Sequence, residues 1–123
     1  MRALTAVAVA SLAAALLAAC SRPSLQLEEQ QTFRAATRSQ TVEAPVSDQV
    51  ERLELQLSLE LNRGSLAFRV TDPQGVVVWQ GTLSSGGELS DRRVFENPAQ
   101  GTWRFDIDLA EASGNYRVEW VGR

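Results

Sequence analysis

Apolar and polar residues alternate strictly from Leu53 to Leu61, with leucine at every odd position and Glu54, Gln56, Ser58 and Glu60 between. Period two places these leucines on one face of an extended strand. On a helix they would be scattered around the axis, so the pattern overrides the helical preference of leucine. Burying each one contributes about 1.5–3 kcal/mol of gross transfer energy, most of it offset by conformational entropy. Asn62-Arg63-Gly64 reads as a turn, after which Leu66, Phe68 and Val70 alternate with Ala67, Arg69 and Thr71 as a second strand. Asp72-Pro73-Gln74-Gly75 suits a β-turn, because proline fixes φ and the aspartate side chain accepts bonds from the following amides.

Val76, Val77, Val78 and Trp79 form a nearly continuous apolar run, which predicts a central strand buried on both faces. Ser84 to Gly87 is a flexible loop. Glu88 to Phe95 reads as an edge strand, where Arg92 and Arg93 discourage pairing with other chains. Beyond Asn97 to Gly101, Trp103, Phe105, Ile107 and Leu109 alternate with charged residues, and so do Tyr116, Val118 and Trp120; with a loop through Gly114 between them they predict a closing antiparallel hairpin. Upstream, Phe33, Val42 and Val46 mark one or two peripheral strands between Thr32 and Val46, while polar Ser21 to Gln31, with Pro23, Glu28 and Glu29, reads as a tether. The expected architecture is all-β: an antiparallel β-sandwich, jelly-roll or Ig-like, over residues 32–123.

The first residues follow a different plan. Arg2 precedes a stretch, Ala3 to Ala18, that is apolar or small except for Thr5 and Ser11, the layout of a secretory signal. Its alanines are too weakly apolar to favour a membrane span, which needs about 20 predominantly apolar residues. Leu17-Ala18-Ala19-Cys20 resembles the lipobox of bacterial lipoproteins. The resemblance implies a signal peptide over residues 1–19, cleavage before Cys20, and a diacylglycerol thioether on that cysteine. Residues 20–31 then become the lipidated N-terminus and tether. Two or more acyl chains anchor stably, one only marginally. Ser21, where such proteins carry Asp for inner-membrane retention, favours the outer membrane of a two-membrane cell; with a single membrane, the domain sits on its outer face.

The body resembles small β-sandwich modules of secreted peptidases, of the pre-peptidase C-terminal type. The matching elements are Gly64-Ser65-Leu66, Val70 to Val77, Pro98 to Trp103 and Gly114 to Val118. This resemblance implies an exported accessory domain without catalysis of its own.

Composition narrows the chemistry further. The 123 residues carry a formal charge of -3, every basic residue is arginine, and there is one cysteine and no histidine. An acidic balance disfavours nucleic acid as a partner. A lone cysteine excludes an internal disulfide, and the missing residue types exclude His-dependent triads, Ser-Lys dyads and the usual transition-metal clusters. No cofactor is expected. Asp106 and Asp108 remain as a candidate acid–base pair, or as weak calcium ligands with Asp72 or Asp91. The plainer use is a solvated face neutralised by Arg104 or Arg117. Three tryptophans raise the idea of a sugar-binding platform, but Trp103 and Trp120 share the parity of the apolar positions and belong in the core. The expected function is therefore a lipid-anchored, non-catalytic envelope module that binds the membrane through its lipid and a protein partner through its sandwich. A glycan-binding module and a small carboxylate-dependent hydrolase are the rivals.

Overall fold

Each of the three longest strands changes the parity of its buried positions once. Inward residues are odd-numbered over 25–33, 53–61 and 103–109, and even-numbered over 42–46, 66–70 and 112–120. A strand shows only one face to a core, so each switch marks one inserted residue. In the computed structural model, which describes residues 23–123, these insertions are bulges inside continuous strands. The strands are β1 (Leu25–Val46), β2 (Arg52–Thr71), β3 (Val77–Ser84), β4 (Glu88–Glu96) and β5 (Gly101–Gly122).

All pairing is antiparallel, and β5 lies between β1 and β2 along their full length. The irregularities fall at Phe33/Ala36/Arg38 in β1, Leu61/Arg63/Ser65 in β2 and Ala110 to Gly114 in β5, side by side across the sheet. Each contains one left-handed residue: Ala35 (φ 46°), Gly64 (φ 82°) and Glu111 (φ 48°). Three aligned bulges fold the sheet over along one line, so each long strand serves both layers of a sandwich. One layer holds residues 25–33, 114–122, 52–61 and β4 in that order; the other holds 38–46, 101–109, 65–71 and β3. With four strands a layer, this order is the jelly roll, and the Ig-like alternative is set aside.

Side-chain hydroxyls replace the broken ladder at the fold line. Ser113 Oγ accepts from the Ala35 amide at 2.9 Å and Thr37 Oγ1 from the Glu111 amide at 3.0 Å. Two glycines there are dictated by space: a Cβ on Gly114 would lie 2.0 Å from the Glu60 carbonyl oxygen, and one on Gly64 2.3 Å from that of Glu111.

Five expectations are corrected. The segment 20–31 is not a tether throughout, because from Leu25 onward it pairs with Gly122 to Tyr116 and belongs to the sandwich; Leu25 and Leu27 pack on the core. Thr32 to Val46 continues that same strand. Asn62-Arg63-Gly64 is the β2 bulge rather than a turn, and Trp103 to Trp120 is one strand rather than a hairpin. The run Val76 to Trp79 opens an edge strand bonded only to β2, with Val76 54% and Val77 43% exposed. The Asp72 turn and the β4 edge stand as expected. Asp72 Oδ1 accepts from the amides of Gln74 and Val76, both at 2.9 Å, and Arg93 lies 4.8 Å from the Trp79 ring centroid across the sandwich opening.

Aromatic side chains knit the layers together. Trp103 meets Trp120 edge-on at 6.4 Å, Phe105 lies 6.2 Å from Tyr116, and Phe95 lies 5.0 Å from Trp103. All three tryptophans are buried, Trp103 and Trp120 as their parity requires.

Candidate functional site

The outward positions of the second layer form a polar grid. Pairing sets Ser39, Asp108, Ala67 and Thr82 in one row, then Thr41, Asp106, Arg69 and Gln80, then Glu43, Arg104 and Thr71. Asp106 and Asp108, two residues apart on β5, therefore share this face. Thr41 Oγ1 donates to Asp106 at 2.6 Å, Arg104 lies 3.5 Å from the same carboxylate, and Ser39 Oγ donates to Asp108. Both carboxylates act as acceptors for neighbouring strands.

Alanine at position 67, among longer side chains, leaves an open cleft of about 410 Å³ bordered by Arg69, Gln80, Thr82 and Asp108. A second cleft of about 340 Å³ lies on the far side of Arg69, lined by Thr71, Val77, Arg104 and Asp106. Their volumes suit a small ligand, but both open broadly to solvent, whereas small-molecule sites bury most of their ligand. The shape fits an extended or broad partner laid across the face. Periodicity places Arg69, Gln80 and Thr82 on the polar side of their strands, but only the pairing of β2 with both β3 and β5 sets them beside Asp108.

The weak calcium candidates Asp106 and Asp108 are not joined by Asp72 or Asp91. Asp72 is committed to its own turn, and Asp91 sits on β4 in the opposite layer. Among the described residues no cluster of three or more acidic or other metal-binding side chains forms. Arg117, the other expected neutralising residue, pairs with Glu28 at 2.9 Å and Glu119 at 3.2 Å on the outer face of the first layer. Leu17, Ala18, Ala19 and Cys20 lie outside the described residues.

A second polar cluster, absent from the sequence reading, closes the β1 edge. Glu29, Gln31, Arg38 and Gln40 occupy inward positions of β1 on either side of the fold line. Arg38 donates to Gln31, Gln31 to Glu29, and the fully buried Tyr116 hydroxyl donates to Gln40 Oε1 at 3.1 Å. Burial, then the nearby Glu29 carboxylate, pushes the Tyr116 phenol up to about 12, with Arg38 pulling the other way. This cluster seals a sandwich edge with polar side chains and leaves no room for a ligand at the phenol.

No family model matches the chain, and no curated protein does. Solved structures match by fold. The chain is similar to a subunit of the disulfide-linked pili of Bacillus endospore appendages (11% identity, 83% of this chain, 90% of that chain, TM-score 0.53). It is likewise similar to the Yersinia pseudotuberculosis-derived mitogen (10%, 82% and 87%, 0.52). A third match is the Clostridium perfringens CspB protease (11%, 77% of this chain, 0.53), of which the chain spans only 25%. Together with the strand order, these likenesses define an antiparallel β-sandwich protein. A pilus subunit, a mitogen and a protease share the architecture, so it assigns no activity.

Proposed function

We propose that this chain is a lipid-anchored, non-catalytic binding module of the bacterial cell envelope. It is acylated at Cys20, held on the outer membrane of a two-membrane cell or the outer face of a single membrane, and uses the polar face of the second layer to hold a protein partner. The observation that carries the binding role is the state of Asp106 and Asp108: each carboxylate is bonded to a β1 hydroxyl on an open face, with no enclosed pocket around the pair. Hydrolysis by carboxylates needs an acid and a base placed around a substrate in an enclosed site that admits one attacking water. The anchor is supported by the lipobox resemblance, and the accessory role by the resemblance to exported sandwich modules.

Glycan binding is the rival. Its expected aromatic platform is lost to the core, leaving the Arg69–Asp108 cleft as its support. The two readings separate on one face. A photo-crosslinking residue at Gln80 is expected to capture a defined envelope protein while one at Gln56, on the other layer, does not. Retardation in gels cast with envelope polysaccharide, abolished by Arg69→Ala, would instead establish the glycan reading. The anchor has its own test: palmitate label is expected on the wild type and absent from Cys20→Ser, which should leave the membrane fraction. Unchanged labelling of Cys20→Ser would refute acylation at that residue.

A further inference from the structure

The fold line closes one end of the sandwich, with the β3–β4 loop beside it, and the first and last described residues meet at the other. At that open end Ser24 donates its amide to the Gly122 carbonyl at 2.8 Å, and Leu25 and Val50 crowd Gly122. Asn97 donates to the Glu51 carbonyl at 2.7 Å, and Gly101 abuts Pro73 in the turn that carries Val76. The start of β1 and the Asp72 to Val76 turn thus belong to one continuous surface.

Two observations make this surface unusual. Val76 and Val77 are the exposed large hydrophobic residues among those described, and both lie here. They are held out rather than left loose: Asp72 clamps the turn through its carboxylate, its amide donates to the Val76 carbonyl at 2.9 Å, and Gly75 supplies the left-handed residue at φ 86°. The second observation is the length of chain leading to the end. Consecutive Cα atoms are about 3.8 Å apart, so whatever path the intervening residues take, the Cα of Cys20 lies within roughly 15 Å of that of Ser24. Ser24 is already bonded to β5.

We propose that the open end of the sandwich rests on the bilayer surface, with Val76 and Val77 entering the headgroup region beside the lipid on Cys20. This rests on the lipid-anchor reading above. An anchor on so short a leash cannot suspend the domain far from the membrane. The interface between headgroups and acyl chains accepts apolar side chains to a depth of about 5–10 Å. Val76 and Val77 are the large apolar side chains exposed at this end. Charge does not drive the contact, since Arg52 is paired with Glu96 at 3.4 Å and Asp48 and Glu51 are exposed nearby. Anionic lipid is not required. The polar face of the second layer then stands roughly upright on the membrane, and the fold line with Arg63 and Ser85 points away.

Acylation consumes the single native thiol, so an introduced cysteine can be spin-labelled alone. The acylated full-length protein carrying Val77→Cys is placed on phosphatidylcholine vesicles, and collisions of the label with oxygen and with a water-soluble nickel chelate are compared. Arg63→Cys at the fold line is the comparison site. Cys20→Ser with Val77→Cys, blocked from acylation but otherwise unchanged, gives the baseline in solution. A several-fold rise in the oxygen-to-nickel ratio at position 77 on vesicles is expected, with position 63 unchanged; Val76→Cys should behave as 77 does. Equal ratios at 77 and 63, on protein whose acylation is verified by mass, would overturn the membrane contact while leaving the anchor intact. Loss of both collision rates at 77 with rising protein concentration would also overturn it, by revealing contact with a second copy. A chain that carries no lipid by mass removes the anchor, and the proposal with it.

Discussion

At the scale of single residues, the molecule is most sensitive where backbone and side chain compete for one volume. Gly114 meets the Glu60 carbonyl where a Cβ would stand, in the middle of the sheet, whereas Gly75 has open space and only its left-handed φ. Gly114→Ala is therefore expected to cost about 1–3 kcal/mol, as overpacking does, and Gly75→Ala about 1 kcal/mol at most from backbone strain. Urea midpoints for the two variants check the order; equal losses would contradict the close approach. Tyr116 offers a second test, because it is the only tyrosine. Its native phenol, raised to about 12 by burial and Glu29, holds its proton more tightly than the unfolded one near 10. Between those values the native state binds more protons than the unfolded state. The Tyr116 contribution to stability is thus complete below about pH 10 and falls as pH rises toward 12. Absorbance at 295 nm should show ionisation near 12 in the native protein and near 10 in urea; a native midpoint near 10 would contradict the burial.

At the scale of strands, β1 matters more than its composition suggests. Leu25 to Gln31 are half-buried or exposed, yet they cover the edge of β5 beside Val118 and Trp120. Deleting residues 25–31 is expected to abolish cooperative unfolding of the domain, whereas removing a true tether would leave it unchanged; thermal melts followed by circular dichroism decide. Trp103 joins layers differently, since its indole donates to the Ala99 carbonyl at 2.8 Å while its rings fill the space between Phe95 and Trp120. Trp103→Ala should cost about 3–5 kcal/mol, read as a drop in the urea midpoint.

Taken together, the described residues form a sheet folded once, with one end closed by bulges and the other carrying the start of β1 and the loops around it. All of its tryptophans are inside, at 8%, 3% and 0% exposure for Trp79, Trp103 and Trp120. Acrylamide should therefore quench their emission weakly and to a similar extent, and strong quenching of the native protein would point to an exposed ring. The topology pairs the first strand with the last, so folding in milliseconds to seconds, rather than microseconds, is the natural expectation.

The alternating runs of β2 and β5 with their inward faces, the Asp72 turn and the β4 edge were legible along the chain, because each rests on period-two burial or on local turn chemistry. The candidate carboxylates were placed correctly on a polar face for the same reason. Glu29 and Gln31 hid the first half of β1: they occupy inward positions at an open edge, where polar ends reach Arg38 and the Tyr116 phenol, so the alternation is masked. Val76 to Val78 misled in the opposite sense, since an apolar run marks burial only if neighbours cover it. The parity switches near Gly64 and Glu111 were also visible, but a tight turn and a bulge change parity alike. Whether the chain reverses or runs on is decided by what lies beside it. Only the alignment of three switches across paired strands turned a row of short strands into one folded sheet, and thereby set Arg69, Gln80 and Asp108 around one cleft and Val76 at the same end of the sandwich as the start of β1.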